Sequence, residues 1–189
     1  MLTVRETALA LTGVWQLAHF DPQGMAFFDK SVEGFWRSFR VAVVVAPAYA
    51  LLAALHFLET PVEAGLLRLL LVEAIAYVTS WVAFPLAAYY ASQMIDRNAE
   101  YVGYIVAYNW ATILRIGVYL PVTLLATGRV LPGGLGSVLL LLVTLAILIF
   151  DWFIARTALR VGGLAASGVV ALDVAISLLI RSTADGMVT

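Results

Sequence analysis

A permanent cation stands inside one of the most apolar parts of this chain. The segment YNWATILRIG, Tyr108 to Gly117, carries both Asn109 and Arg115. Three carboxylates, Glu73, Asp151 and Asp173, stand in comparably apolar surroundings. An unpaired charge at the centre of a bilayer costs about 2.5–3.5 kcal/mol on insertion scales. Such groups therefore do one of two things. They neutralise one another in a network that fixes helix register, or they line a pocket for an anionic headgroup or for protons. Tyr108, Asn109 and Tyr77 are the uncharged donors and acceptors that would complete either arrangement.

The spacing around Arg115 favours an inward-facing side chain. Tyr104, Tyr108, Thr112, Arg115 and Tyr119 recur at helical steps and form a polar, aromatic stripe. Gly103, Ala107 and Ala111 run alongside it, and small residues at this spacing let a second helix approach closely. The face bearing the arginine is thus expected to be packed against protein.

Composition sets the environment. The 189 residues are 63% hydrophobic and 12% charged, with a mean hydropathy of +0.98. Soluble domains are about half apolar and about a quarter charged. The chain is read as an integral membrane protein, of a length for one compact bundle without a separate soluble domain. A net charge of −1 offers no basic surface for nucleic acid. The lack of cysteine excludes disulfides, thiolate chemistry, Cys-ligated zinc and iron–sulfur clusters. Only His19 and His56 could supply imidazole, and no cofactor or metal site is expected.

Five stretches are long and apolar enough to span: Val41–Leu58, Leu66–Tyr90, Tyr101–Leu125, Gly136–Ala155 and Val161–Ile180. The expected fold is all-α, a bundle of five transmembrane helices on residues 41–189. Residues 1–40 form an N-terminal amphipathic, interfacial segment. Short connections make consecutive spans antiparallel neighbours. Pro47, Pro85 and Pro121 should each kink a span. Arg5, Lys30, Arg37, Arg40, Arg97, Arg156 and Arg160 fall on one side of the alternating spans. Glu59, Glu63, Arg68, Arg129 and Arg181 fall on the other. The positive-inside rule then puts the N-terminus in the cytoplasm and the C-terminus outside, in a bacterial inner (plasma) membrane. The first twenty residues do not read as a signal peptide, so insertion is expected to rely on the internal helices.

Rise per residue, about 1.5 Å, gives the depths. Glu73 lies in the outer half of the second span, Asp173 near the centre of the fifth, and Arg115 just outside the centre of the third. These three are expected to meet. Asp151 lies closer to the cytoplasmic end, where Asn109, Arg156 or Arg160 would be its partners. Glu73 shares a face with Tyr77, Ser80 and Phe84, and Asp173 shares one with Gly162, Ala166 and Ser177. A second ridge on the fifth span, Gly163, Ser167, Ala171 and Ala175, suggests packing on both sides and a central position.

Residues 1–40 carry two apolar stripes. The first is Val4, Ala8, Leu11, Trp15 and Ala18, and the second is Phe28, Val32, Phe35 and Phe39. Asp21-Pro22 is a helix-start signal. Trp15, Phe35 and Trp36 are residue types that anchor at the membrane interface, so both stripes are expected to face lipid; the alternative is a docking helix for a cytoplasmic partner.

The layout resembles the Yip1-like family of small five-span membrane proteins. The family's third span often carries a Gly-Tyr pair, as Gly103-Tyr104 does in VGYIVAYNW. The acidic-aromatic Gly-Pro motif of its eukaryotic branch has no counterpart in FDPQGM, Phe20 to Met25, so small-GTPase binding is not carried over. The resemblance implies a non-catalytic protein that organises membranes through lipids, a membrane-protein partner or a second copy of itself. The alternative is a transporter or channel subunit with a polar midplane site at Arg115, Glu73 and Asp173. An intramembrane protease would want a Ser–His pair or paired aspartates. His56 has no evident serine partner, and Asp151 and Asp173 lie at different depths.

Overall fold

The computed structural model describes residues 4–59, 64–128, 130–132 and 134–188, with the backbone alone at Glu59. Glu63 and Arg129, and the side chain of Glu59, lie outside the described residues. The described chain is all-helical. A short helix α1 spans Val4–Ala18, a 3-10 segment spans Pro22–Phe27, and α2 spans Val32–Ser38. The long helices follow: α3 Val41–Glu59, α4 Leu66–Met94, α5 Tyr101–Thr127, α6 Leu135–Ala158 and α7 Gly163–Val188. Five helices are long and apolar enough to cross a membrane, the first running through α2 and α3. Pro47, Pro85 and Pro121 all lie inside continuous helices.

The bundle is built around α5, which packs against α3, α4, α6, α1 and α2. Gly103, Tyr104, Ile105, Val106, Ala107, Asn109, Trp110 and Ala111 are all buried there. The small residues beside the arginine thus do admit neighbouring helices. The expectation of a central fifth span is corrected. Helix α7 packs mainly on α4 and α6, and Ser167, Ala171 and Ala175 of its second ridge are exposed. The small stripe on α5 is buried together with the large side chains Phe84, Phe150 and Ile154 in one core cluster, whereas the ridge on α7 has no such company.

A second correction concerns α3 and α4. They follow each other in the chain, yet the close backbone approach of α3 is to α5. Helices α3 and α4 meet through bulky side chains. The Tyr49 and Tyr77 rings lie 4.6 Å apart, and the Tyr77 hydroxyl donates to the Ala42 carbonyl. Two tyrosines and Trp81 in this seam hold the backbones apart and leave a space between them.

The buried residues cluster toward the starts of α3, α5 and α7 and the ends of α4 and α6. Antiparallel alternation puts all of these at one end of the bundle. Residues 4–40 are folded onto that end. The buried face of α1 is Ala10, Gly13, Val14 and Leu17, packed on α5, α6 and the 3-10 segment. Val4, Leu11 and Trp15 of the first stripe point outward. Of the second stripe Val32 is exposed, but its three rings do not face lipid as expected. Phe28 is buried, Phe35 and Phe39 pack on the core, and the Phe35 ring lies 5.9 Å from Tyr101. These rings are more useful against the exposed start of α5 than against headgroups, because α2 ends in a one-turn junction that holds it to α3.

Local polar contacts fix this N-terminal region. Asp21 accepts from the Gln23 N–H at 2.9 Å and starts the 3-10 segment, and Ser31 caps α2 through the Gly34 N–H at 3.0 Å. Asp29 accepts from the Ser31 N–H and from Arg37, which also meets Glu6 at 3.3 Å. Hydrogen bonds at Ser31, then the charge of Arg37, hold the Asp29 carboxyl below the usual carboxylate range. Helix α1 and the 3-10 segment approach each other through two glycines. A Cβ on Gly13 would lie 2.8 Å from the Gly24 carbonyl oxygen, and one on Gly24 would lie 2.6 Å from that of Gly13. Gly24→Val should therefore separate α1 from the 3-10 segment, at a cost of about 1–3 kcal/mol for overpacking. Hydrogen exchange should rise across residues 4–27 while α4 and α5 stay protected. Gly117→Ala, with nothing within 4 Å, is the neutral control.

Candidate functional site

Arg115 is the centre of the polar interior. Its side chain folds back along α5 toward the helix N-terminus, as helical side chains do. Its Nη2 donates to the Tyr108 carbonyl and to Thr112 Oγ1, both at 2.7 Å. The guanidinium carbon sits 4.2 Å from the centre of the Tyr108 ring. Nη1 meets Asp151 Oδ2 at 3.3 Å. The side chains of Arg115 and Asp151 are 13% and 9% exposed, so this ion pair is desolvated and each partner needs the other.

The expected partners of Arg115 were Glu73 and Asp173, and the pairing is corrected to Asp151. Depth was read from Cα positions. The guanidinium ends about one turn nearer the start of α5, where it meets Asp151. Glu73 leans the other way, because α4 runs antiparallel to α5 and its side chains point toward its own start. There Glu73 accepts from the Tyr49 hydroxyl at 3.0 Å and from Arg181 at 3.3 Å. Arg181 also meets Asp185 at 3.1 Å, and His56 lies 3.8 Å from the same oxygen. Arg181 as the partner of Glu73 was legible in part. Glu73 and Arg181 both fall in the outer half of their spans, on helices that the positive-inside alternation makes antiparallel.

Asp173 joins the centre through Tyr108. The Tyr108 hydroxyl lies 3.0 Å from both Asp173 carboxylate oxygens. One hydroxyl proton is thus shared between two acceptors, beneath a ring whose face already holds the arginine. Asn109 was expected near Asp151 but turns toward α2, donating to Ser38 Oγ at 2.9 Å. Ser38 in turn donates to the Phe35 carbonyl at 2.7 Å. Asn109 is fully buried, and its Oδ1 has no hydrogen-bond partner.

These groups border a cavity of about 260 Å³ in the space that Tyr49, Tyr77 and Trp81 keep open. Arg115, Asp173, Tyr108, Asn109 and Tyr77 all line it. A second cavity, of about 450 Å³, shares Tyr49, Ser80, Asp173 and Ser177 with the first and reaches Arg181. The structure thus brings five of the seven predicted site residues onto one cavity wall. Asp151 stands behind Arg115, and Glu73 stands beside the outer cavity, in contact with Tyr49 and Arg181. Sequence reasoning missed Trp81, Phe84 and Tyr49 as lining residues; Phe84 shared a face with Glu73, which was the available signal. Among the described residues no three His, Asp or Glu side chains converge as a metal site would need. The arrangement offers charge pairing, hydrogen-bond acceptors and aromatic walls, which is the chemistry of binding.

Comparison of the chain with models of known families, with curated proteins and with solved structures finds no match.

The pairing has a measurable consequence. Arg115→Ala leaves a buried carboxylate without its cation, and breaking buried pairs costs about 3–5 kcal/mol in soluble proteins, less in membranes. The melting temperature in detergent should fall. Adding Asp151→Asn should recover part of the loss, whereas adding Glu73→Gln should recover none. Such coupling identifies a partner, so recovery by the Glu73 change in place of the Asp151 change would show that the pair is wrongly assigned.

Proposed function

We propose that this chain is a non-catalytic integral membrane protein of the Yip1-like type, which organises membrane through lipids and protein partners. The observation that carries the reading is the folded N-terminal region. It packs on the buried end of five closely spaced spans and leaves Trp15 and Trp36 61% and 67% exposed. Exposed tryptophans beside cations suit the headgroup layer. The same end carries Arg5, Lys30, Arg37, Arg40, Arg97, Arg156 and Arg160. The positive-inside rule assigns that end to the cytoplasm, and a bacterial inner membrane is the membrane proposed.

A second reading is favoured by one observation, the polar cavity lined by Arg115, Tyr108 and Asp173. In that reading the chain is a transporter or channel subunit. Purified protein in proteoliposomes separates the two. Solute flux without any partner protein supports the second reading and removes the first.

Orientation is tested independently. The chain has no cysteine, so a single Gly186→Cys variant reports cleanly. A membrane-impermeant maleimide added outside spheroplasts should label it. Labelling only after the cytoplasmic face is opened would reverse the orientation.

A further inference from the structure

We propose that a cleft at the end of the bundle assigned above to the cytoplasm binds a singly charged phosphodiester, the linkage found in a membrane phospholipid head. The inference rests on the first reading above, action through lipids, and names the lipid chemistry and the place that takes it.

Three segments of the chain build the cleft. The 3-10 segment and Lys30 form one wall, the start of α5 with Glu100 and Gly103 a second, and the end of α6 with Thr157 and Arg160 the third. Its volume is about 470 Å³. Lys30 and Arg160 are far apart in sequence and meet only through the fold. Both residues are exposed, so a ligand can reach them. Among the described residues neither forms an ion pair, not even with Glu100 on the same cleft. Arg37, Arg115 and Arg181, by contrast, are each held by a carboxylate.

Charge and level together name the ligand. Two cations against one carboxylate leave an excess of +1 on the cleft walls. One phosphodiester cancels that excess, whereas a neutral or cationic ligand does not. The cleft lies at the end that carries the excess of Lys and Arg, the level of the lipid heads, where the anion on offer is lipid phosphate. The planar guanidinium of Arg160 suits two phosphate oxygens at once, and Lys30 adds a point charge.

The backbone makes room for both cations. The stem of Lys30 lies on α5 at Gly103, where a Cβ would stand 3.3 Å from Lys30 Cδ and 3.4 Å from Cγ. Arg160 directly follows the last residue of the α6 cap and has φ 54°. The Val161 N–H closes this turn on the Arg156 carbonyl at 3.2 Å. Helices usually place glycine at that position, because a side chain is strained in the left-handed region. The chain therefore carries an arginine where glycine would close the turn with less strain, which lets a binding role be separated from a structural one.

The test uses delipidated full-length protein in dodecyl maltoside, titrated with phosphatidylglycerol or phosphatidylcholine and read by intact mass spectrometry. Wild type should retain phosphatidylglycerol saturably and phosphatidylcholine more weakly. Arg160→Gly should weaken phosphatidylglycerol by about ten-fold, the scale of a lost charged hydrogen bond, while the melting temperature holds or rises. Lys30→Gln should weaken it by about five-fold, and Glu100→Gln should tighten it. Arg40→Gln removes the same charge from the same end outside the cleft and should change affinity by less than about two-fold. Should Arg160→Gly melt lower than wild type, Lys30→Gln decides. Equal retention of the two lipids, unchanged affinity in the deciding variant, or an equal loss in Arg40→Gln would overturn the proposal, the last by showing that only diffuse surface charge is at work.

Calorimetric titration with sodium dimethyl phosphate distinguishes the source. Affinity equal to that for phosphatidylglycerol identifies a free phosphodiester; retained phosphatidylglycerol without dimethyl phosphate binding identifies a lipid head. The reading beneath the inference is tested apart from it. Phosphatidylglycerol retained undiminished in Lys30→Gln and Arg160→Gly keeps action through lipids and removes this site. Loss of the lipid in those variants, together with solute flux into proteoliposomes, keeps the site and removes that reading.

Discussion

The constraint on which the rest of this structure depends is a guanidinium that cannot reach water. Arg115 begins midway along a span, and hydrocarbon offers it no hydrogen-bond acceptors. Its neutralisation by Asp151 requires α6 to lie tightly against α5. Its hydrogen bonds to the Tyr108 carbonyl and Thr112 keep the side chain folded along its own helix. Folded this way, it holds the Tyr108 ring, and Tyr108 in turn presents its hydroxyl to Asp173 on α7. One buried charge thus fixes the relation of three helices.

Packing and polarity are divided along the length of the bundle. The half beside the N-terminal region is filled with large apolar side chains and has the tight contacts. The opposite half carries the Glu73–Arg181–Asp185 group and wide aromatic seams. A cavity persists between them because Tyr49, Tyr77 and Trp81 meet as rings, which keeps α3 away from α4. The same residues that prevent close packing there provide the cavity's walls.

The spans were legible in the sequence because a membrane helix must satisfy its backbone internally and show a long apolar run. Observed helices start within a few residues of the expected spans, as Leu66 and Tyr101 do at the residue itself. The inward face of Arg115 was legible from its small neighbours. Its partner was not, because Cα depth ignores how far an arginine reaches along its helix. Glu73 misled for the same reason in the opposite direction. The buried face of α1 was hidden by its composition. Ala10, Gly13 and Val14 are smaller than the Leu11 and Trp15 of the outward stripe, so the louder pattern marked the wrong face for protein contact.

The docking of α1 also sets an order of events. Helix α1 leaves the ribosome before the spans it packs on, since it covers parts of α5 and α6, and α6 ends only at Ala158. Until that residue is made, Ala10, Val14 and Leu17 can pack on the 3-10 segment but not on the whole of their final surface. During this interval the outward face, with Leu11 and Trp15, is what can hold the helix in the headgroup layer. Closing so long a loop comes late in assembly, since distant contacts form only after the elements between them are in place. The burial of Trp110 beside α1 is therefore a marker of the docked N-terminal helix.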